Sequence, residues 1–277
     1  MLYLGQYNEL QLLRFTSVGA YLGNDEGDEV LLPNRYVSEE FQEGDQLRVF
    51  VYLDSEERPV ATTETPKIEL HTFAYLEVTD VNHLGAFLDW GLLKQLFCPY
   101  REQLVKMEEG KSYLVYLYLD DSTQRLVASA KTRRFLERER IVVEEGDEVD
   151  LLITDRHELG QQVIVNDTYG GMIFNSYISR PLLRGERCSG YVLNVREDGK
   201  LDIALEKKGY ARIEPAAEQI LEKLREAGGH LPVGDKSDPD DIREQFGLSK
   251  KAFKQALGNL YRKRMVDIEG NSIRLIQ

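Results

Sequence analysis

The pentapeptide VGAYL at residues 18–22 returns as LGAFL at residues 84–88, a shift of 66 positions. Four further landmarks follow the same shift: Pro33 to Pro99, Arg35 to Arg101, Gly44 to Gly110 and Asp54 to Asp120. Five landmarks in one register indicate an internal duplication, and such repeats define repeated structural units. A fainter third copy lies at a shift of 141, which takes Gly19 to Gly160 and Gly44 to Gly185.

Each copy has the pattern of short β-strands, because β-branched and aromatic residues alternate with polar ones between Gly, Asn and Asp. The strands predicted for the first copy are 5–16, 19–24, 29–33, 46–54 and 58–63, with a short turn or helical connection over 37–44. Five strands with a helical link after the third is the plan of a small Greek-key barrel. Since an open sheet this short would leave uncovered edges, each sheet is expected to close.

Side-chain alternation separates core from surface along the second strand of each copy. Ala86 and Leu88 point one way and Phe87 points the other. Leu88 is the predicted core residue, which leaves Phe87, and Tyr21 in the first copy, on the outer face. An exposed ring beside a glycine suits the stacking of an unpaired base, worth roughly 1–3 kcal/mol. Packing of these rings on their own or the neighbouring barrel is the open alternative.

After Gly209 the hydrophobic period changes from two to about 3.6. The sequence predicts a helix over 215–227, a second helix with Asp238 as N-cap that ends at Gly247, and a third capped by Ser249. The strands predicted to follow are 265–269 and 272–276. Three helices and a terminal hairpin indicate an α/β winged-helix domain.

The predicted architecture is therefore mainly β and multidomain. Its parts are barrels at 1–65, 66–133 and 146–209, a linker at 134–145 and the winged-helix domain at 210–277.

The third predicted helix is the recognition element of such modules. It and the turn after it carry the basic residues Lys250, Lys251, Lys254, Arg262, Lys263 and Arg264. Lys250, Lys254 and the turn at 261–264 have a spacing that clears the apolar stripe and reaches a phosphate backbone. Basic residues in a last turn also complement the helix dipole, which is a structural alternative without a ligand. Because basic residues occur at both ends of the helix, we favour nucleic-acid contact.

The net charge of −13 is unevenly distributed. Residues 210–277 carry 12 Lys and Arg against 11 Asp and Glu, so the net acidity belongs to the predicted barrels. Nucleic-acid binding by the barrels must then depend on local faces and stacking, because a broad positive field is missing. No apolar run reaches membrane-span length and no signal peptide is evident, so a cytoplasmic location is expected. Two cysteines, Cys98 and Cys188, are expected as buried thiols.

The second strand, with its glycine, small residue, aromatic and aliphatic, resembles that of the S1 RNA-binding domain, which is of the oligonucleotide-binding-fold type. The resemblance covers about residues 1–206 as three copies. Where S1 domains usually place a second aromatic before the glycine, this chain has Val18, Leu84 and Leu159. Where they favour a histidine on the third strand, it has Pro33, Pro99 and Phe174. The third copy also replaces the strand aromatic with Gln162.

Other side chains are predicted to supply stacking and phosphate contact on the same side of the barrels. They are Arg35 and Tyr36 in the first copy, Trp90, Tyr100 and Arg101 in the second, and Tyr169, Tyr177, Arg180 and Arg184 in the third. For Trp90 the alternative is a core or interface residue. The closing strand of the third copy resembles that of S1 domains and implies phosphate contact by Lys207 and Lys208, against the alternative of a solvated strand end.

Three S1-like barrels followed by a winged helix are similar to the layout of the conserved virulence factor B family, which are bacterial RNA-binding regulators. This resemblance implies binding of single-stranded RNA and an influence on gene expression. Several weak barrels would then gain affinity by engaging one strand together. The alternative is a protein-interaction scaffold or a DNA-binding regulator, in which acidic barrels dock a protein partner and only the winged helix contacts nucleic acid.

No catalytic constellation is recognisable in the sequence. His157 and Glu158 lack the second histidine of a metalloprotease motif, and Gly170-Gly171 lies between predicted strands rather than before a helix. Asp54 and Asp120 follow strand ends, where Asp commonly forms turns. We therefore expect a protein that is not an enzyme and has no metal or cofactor. A nuclease that uses carboxylates from several copies is the catalytic alternative.

Overall fold

The computed structural model describes residues 1–178, 180–206, 215–262 and 265–276. They divide into two compact units, Met1–Leu205 and Glu206–Gln277. The first unit holds three five-stranded sheets, and the second holds three helices and a small sheet. The predicted mainly β fold class with a C-terminal winged helix is confirmed. Within the described ranges, no helix combines the length and apolar character that crossing a bilayer requires.

The first sheet is a closed barrel of the order β1-β2-β3-β5-β4. Its strands are β1 (Gln6–Thr16), β2 (Gly19–Gly23), β3 (Glu29–Pro33), β4 (Gln46–Leu53) and β5 (Pro59–Thr62). Leu10 and Leu12 point into the core while Glu9 and Gln11 face solvent, which is the alternation of a half-buried strand. The helical link is a 3-10 turn at Asn34–Tyr36, directly after Pro33 and earlier than predicted.

The second sheet repeats this order as β10-β9-β6-β7-β8. Its strands are β6 (Phe73–Val81), β7 (Gly85–Asp89), β8 (Leu96–Pro99), β9 (Ser112–Asp120) and β10 (Arg125–Ser129). The expected closure is incomplete here, because no hydrogen-bonded ladder joins β8 to β10 in the described part of the chain. The Gln103 side-chain amide instead donates to the Cys98 carbonyl of β8 at 3.1 Å.

The third sheet closes fully in the order β11-β12-β13-β15-β14. Its strands are β11 (Glu148–His157), β12 (Gly160–Val165), β13 (Tyr169–Phe174), β14 (Arg187–Val195) and β15 (Leu201–Ala204). The faint third copy is therefore a barrel of the same topology as the first.

One glycine has the same structural role in all three sheets. Gly19, Gly85 and Gly160 begin the second strand of each sheet. A Cβ atom at these positions would lie 2.1, 2.4 and 2.1 Å from a carbonyl oxygen of the neighbouring third strand. Only glycine permits this approach of the two backbones, which explains why the repeat is most visible at this residue.

The three sheets pack on one another within the first unit. Phe50 and Tyr52 of β4 join the core of the second sheet, and Phe73 of β6 packs with Leu152 and Ile164 of the third. The predicted linker, 134–145, is also packed rather than free. Phe135 stacks on Tyr116 with ring centroids 4.0 Å apart. The barrels are therefore fixed neighbours, since a free tether would make no such contacts.

The second unit matches the predicted winged helix. Its elements are α1 (Pro215–Glu226), β16 (His230–Leu231), α2 (Pro239–Phe246), α3 (Lys250–Arg262), β17 (Val266–Glu269) and β18 (Ser272–Leu275). Asp238 caps α2 by accepting the Asp240 N–H at 2.9 Å, and Gly247 ends it at φ 64°. Phe253, Ala256, Leu257 and Leu260 line the buried stripe of α3. The two-residue strand β16, which pairs with β18, was not predicted.

The two thiols differ in environment. Cys98 is fully buried, and burial raises the pKa of its thiol to about 12. Cys188 is only half-buried, so the expectation of two buried thiols is right for Cys98 and wrong for Cys188.

Candidate nucleic-acid interface

The same end of each barrel carries an exposed aliphatic side chain. Val18, Leu84 and Leu159 occupy the turn between the first two strands and are 56, 57 and 59% exposed. The carbonyl of each accepts the N–H of the first residue of the following 3-10 turn: Asn34, Tyr100 and Asn175, at 3.1, 3.3 and 3.0 Å. This construction brings the turn and the 3-10 helix together in all three barrels. We call this end the barrel tip.

Each barrel tip also carries a tyrosine on its 3-10 turn. Tyr100 and Tyr177 are 39 and 48% exposed, whereas Tyr36 is half-buried. The Tyr100 hydroxyl donates to the Asn82 carbonyl at 2.7 Å, so this ring lies across the tip of its own barrel. The Tyr36 hydroxyl donates to Glu64 at 3.2 Å. Among the described residues, no hydrogen-bond partner holds Tyr177.

The tip aliphatics were noted in the sequence only as departures from an S1 aromatic. The structure shows them as the exposed apolar part of the tip. The sequence signal was present, because an aliphatic residue precedes the glycine of a turn in all three copies. Its exposure became visible only with the turn geometry.

The strand rings Tyr21 and Phe87 lie on the predicted outer face but are half-buried. The Arg14 guanidinium lies 4.5 Å from the centroid of the Tyr21 ring and is also bound by both carboxylate oxygens of Glu29. Phe87 packs against Phe97 with ring centroids 5.2 Å apart. Both rings therefore pack against side chains of their own barrel, as the alternative interpretation stated. Base stacking on them stays a prediction.

Two aromatic predictions are corrected by burial. Trp90 is only 2% exposed, and its ring meets Phe50 and Tyr52 of the first barrel edge-on, with centroids 5.9 and 6.0 Å away. Its indole N–H donates to the Lys94 carbonyl. Trp90 is therefore an interface residue between barrels, which was the alternative interpretation. Tyr169 is 4% exposed in the core of the third barrel and presents no ring face to a base.

Most of the predicted barrel arginines are bound to carboxylates. Arg101 pairs with Asp120 at 2.5 Å, and Arg180 with Glu186 at 2.6 Å. The hydrogen bond from Arg180 lowers the pKa of Glu186. For Asp120, the Ser122 hydroxyl is the main cause of a lowered pKa, followed by backbone N–H groups and Arg101.

The remaining two barrel arginines lie beside tyrosine rings. Arg184 pairs with Asp155 at 2.8 Å, and its guanidinium lies 5.8 Å from the Tyr75 ring centroid. Arg35 is exposed and lies 5.7 Å from the Tyr36 ring centroid. Arg35 thus brings positive charge to the first barrel tip, and in the described part of the chain no carboxylate pairs with it.

Helix α3 presents a different charge environment. Lys251 and Lys254 are exposed and Lys250 is half-buried. No carboxylate of the described residues forms an ion pair with any of the three. Arg262 is exposed at the end of α3, where it donates to the Gly258 carbonyl and to Asn259. The lysines therefore form a basic face whose charge is not neutralised by the described carboxylates.

Two residues of α3 extend this face toward the C-terminal end of the helix. Tyr261 is 52% exposed and follows Lys254 by two helical turns, which places it on the same side. Gly258 lies between them, and a Cβ added there would meet open space. No packing contact among the described residues therefore requires a glycine at this position. Gly258 was not singled out from the sequence, and Tyr261 was included only as part of the turn at 261–264.

Four predicted basic residues fall outside the described part of the chain: Lys207, Lys208, Lys263 and Arg264. Their contacts with phosphate stay predictions. Among the residues that are described, no group of three or more His, Cys, Asp or Glu side chains is placed to hold a metal ion. Asp54 and Asp120 each close a turn, as expected, by accepting backbone N–H groups.

Known domain families and proteins resemble this chain over most of its length. A model of the CvfB-like winged helix domain matches residues 218–275, and a model of the S1 domain matches 4–64 and 72–131. YitL of Bacillus subtilis is 32% identical over 265 residues, which cover 92% of this chain and 88% of that protein. Conserved virulence factor B of Staphylococcus epidermidis is 27% identical over 282 residues, which cover 98 and 94%.

The chain belongs to the conserved virulence factor B family. The resemblance seen in the sequence is confirmed on this point. The third barrel lies outside the two ranges that the S1 domain model matches, consistent with Gln162 replacing the strand aromatic.

The chain is also similar to a solved multidomain protein with nucleic acid binding domains from Streptococcus pneumoniae. That structure is 23% identical, covers 99% of this chain and has a TM-score of 0.40.

Proposed function

We propose that this member of the conserved virulence factor B family is a non-catalytic protein that binds single-stranded RNA and thereby regulates gene expression. The observation that carries the proposal is the repetition of the barrel tip, with an exposed aliphatic side chain and a tyrosine in each of three linked barrels. S1 and winged-helix domains are module types associated with nucleic-acid binding.

The barrel tips favour an unpaired strand over a duplex. Leu84 and Tyr100, and likewise Leu159 and Tyr177, offer apolar surface that suits the faces of unstacked bases. In a duplex those faces are stacked on neighbouring base pairs and are inaccessible. Because the barrels are packed as neighbours in one unit, binding of one barrel raises the effective concentration of the strand near the next.

The basic face of α3 supplies the phosphate contacts that most of the barrel arginines lack. Lys250, Lys251 and Lys254 release counterions when they meet a phosphate backbone. Arg35 and Tyr36 add one such contact at the first tip. The whole chain is acidic, so binding depends on these local cations and on stacking rather than on a broad positive field.

Direct binding measurements test this function. We expect the purified full-length chain to bind a labelled oligouridylate in preference to a DNA duplex of the same length at one stated salt concentration. The logarithm of the binding constant should fall linearly with the logarithm of the salt concentration, and we call the gradient of this line the salt slope. Its value should be about −0.7 for each phosphate contacted. A preference for the duplex would support a DNA-binding regulator, and binding of neither at low ionic strength would support a protein scaffold. Either result contradicts the proposal.

The regulatory part of the proposal is tested separately in cells. Transcripts that crosslink to the protein under ultraviolet light should change in abundance or translation when its gene is deleted. Crosslinked transcripts whose levels and translation stay constant would contradict a regulatory function while leaving RNA binding intact.

A further inference from the structure

A pocket of about 560 Å³ opens between the first two barrels, inside the first compact unit. Phe87, Phe97 and Leu93 of the second barrel line it, and Leu93 is 69% exposed. The hairpin between β4 and β5 of the first barrel forms another wall, through Leu53 and Glu57. This volume lies in the range of small-ligand sites, and an apolar floor with two rings suits a flat aromatic group such as a nucleobase.

Two cations of the second barrel line the same pocket, and one carboxylate of the first barrel holds both. Glu57 Oε1 lies 3.4 Å from Lys94 Nζ, and Glu57 Oε2 lies 3.1 Å from Arg125 Nε. Lys94 also donates to the Asp54 carbonyl at 2.7 Å, which ties it to the same hairpin. The two oxygens of this carboxylate each bind one cation. Two phosphate oxygens of a nucleotide would bind the same two cations in the same way.

The hairpin fixes Glu57 in this position. Its backbone has φ 64°, a conformation that residues other than glycine rarely adopt. Asp54 stabilises the turn by accepting the N–H groups of Glu56 and Arg58 at 2.8 and 3.0 Å. Because the turn is closed by these bonds, the Glu57 side chain is directed to the second barrel before any ligand arrives.

The repeat shows that this carboxylate is particular to the first barrel. The residue that precedes Arg58, Arg125 or Lys200 near the start of the final strand has positive φ in all three hairpins, and it is Glu57, Gln124 and Gly199 in turn. Gln124 donates to the Asp121 carbonyl in its own turn, and Gly199 has no side chain. Among the three equivalents, only Glu57 brings a negative charge to a neighbouring barrel.

We propose that Glu57 is a carboxylate gate on a nucleotide pocket formed jointly by the first two barrels. It occupies the place of an RNA phosphate between Lys94 and Arg125, and RNA must displace it before a base can rest on Phe87 and Phe97. The exchange is feasible because Glu57 and Arg125 are both solvent-accessible, and exposed ion pairs add little stability. This inference rests on the proposed RNA binding. It adds the pocket in which one nucleotide would bind and identifies the Glu57 carboxylate as the group that competes with the RNA phosphate.

The matched pair Glu57→Gln and Glu56→Gln tests the gate in the full-length chain. Both changes remove one negative charge from the same hairpin, but Glu56 pairs only with Arg58, at 3.0 Å, among the described residues. We expect Glu57→Gln to bind a labelled oligouridylate at least threefold more tightly than Glu56→Gln. Its salt slope should be steeper by up to about 1.4, since two cations become available to phosphate. Equal or weaker binding by Glu57→Gln overturns the gate.

The one tryptophan of the chain supplies a local readout, because Trp90 lines the same pocket. A base that enters should quench its fluorescence, and the quench at saturating RNA should be deeper in Glu57→Gln than in Glu56→Gln. Adding Arg125→Gln to Glu57→Gln should remove the gain in affinity. Tighter RNA binding by Glu57→Gln without deeper quenching of the Trp90 fluorescence also overturns the gate, because the gain in affinity would then arise elsewhere in the protein.

Failure of the gate is separable from failure of the proposed function. If wild-type protein binds the oligouridylate and the two glutamine variants bind equally, only the gate is wrong. If wild-type protein ignores the strand at low salt, RNA binding itself is wrong and the gate falls with it.

Discussion

The barrels and the winged helix place their cations in opposite environments. In the barrels, Arg101, Arg180 and Arg184 each form an ion pair with a carboxylate, with N···O distances of 2.5, 2.6 and 2.8 Å. On α3, Lys250 and its neighbours face no such partner among the described residues. The barrels can therefore offer rings and apolar tips but little unpaired charge, whereas α3 offers charge that a phosphate can meet without first displacing a carboxylate.

This difference follows from where the acid lies in the chain. The barrel region carries the whole net negative charge, so its arginines find carboxylates nearby, while the last 68 residues are nearly balanced. We therefore expect the barrels to contribute mainly stacking contacts and α3 to contribute mainly charge contacts.

The largest effect should come from removing the lysines of α3. In the triple variant that combines Lys250→Gln, Lys251→Gln and Lys254→Gln, we expect RNA affinity to fall roughly 10- to 100-fold. Each exposed charge contact contributes up to about 1 kcal/mol. The salt slope should become shallower by about 2, at roughly 0.7 for each phosphate. Fluorescence anisotropy over a salt series measures both quantities.

A charge-matched control uses three barrel cations that already have partners: Arg58, Lys111 and Arg196, paired with Asp54, Glu108 and Asp198. Their joint change to glutamine should cost far less affinity. An equal loss in both triple variants would mean that total charge, and not the basic face of α3, determines binding.

The next effect tests stacking at the third barrel tip. Tyr177→Ala should weaken RNA binding by roughly five- to tenfold, the lower part of the 1–3 kcal/mol found for a base stacked on an aromatic ring. Tyr177→Phe keeps the ring and should bind like wild type. Because the ring is 48% exposed, neither change should alter the melting temperature much. Equal binding by the Ala and Phe variants would remove this ring from the interface.

A smaller effect tests the stability of the winged helix. Asp238→Ala removes the N-cap of α2 and should lower the free energy of unfolding of this unit by about 1 kcal/mol. Amide hydrogen exchange should show faster exchange in α2, α1 and α3 and unchanged protection in the barrel strands. Faster exchange in the barrels would show that the two units unfold as one.

Gly258→Ala separates helix stability from ligand approach. Alanine is favoured over glycine in a helix interior by up to about 1 kcal/mol, and open space surrounds this position, so the winged helix should become more stable. RNA binding should nevertheless weaken by about two- to threefold if the strand approaches the backbone at Gly258. A variant that is both more stable and binds as well as wild type would place the strand elsewhere on α3.

The smallest effect concerns pH and the barrel carboxylates. The pKa of Asp120 is lowered in the folded state, chiefly by the Ser122 hydroxyl, so this group stabilises the fold above its unfolded pKa near 3.8. That stabilisation is lost as the pH falls through the folded value. Asp120→Asn should be less stable than wild type at pH 7, and the difference should shrink as the pH falls below 3.8. Urea titrations over a pH series measure this difference, and a difference that stays constant would contradict the role.

The repeat made the barrel strands predictable to within a residue or two, because alternation and the glycine of β2 are local properties. The caps of α2 were predictable for the same reason, since Asp238 and Gly247 act on their own helix. The strand β16 was missed because two residues have no period, and its pairing with β18 joins distant parts of the chain. The burial of Trp90 was only one of two alternatives, since its neighbours Phe50 and Tyr52 come from another barrel.

The fold class, the three copies and the winged helix were predictable from the sequence, since each depends on spacing along the chain, and the order of these domains carried the resemblance to the family. The tertiary structure alone decided which candidate rings and cations are available to a ligand. Availability depends on neighbours distant in sequence, such as Asp120 beside Arg101 or Glu57 beside Lys94 and Arg125. Pairing of charges across barrels is a property of packing, and no local pattern encodes it.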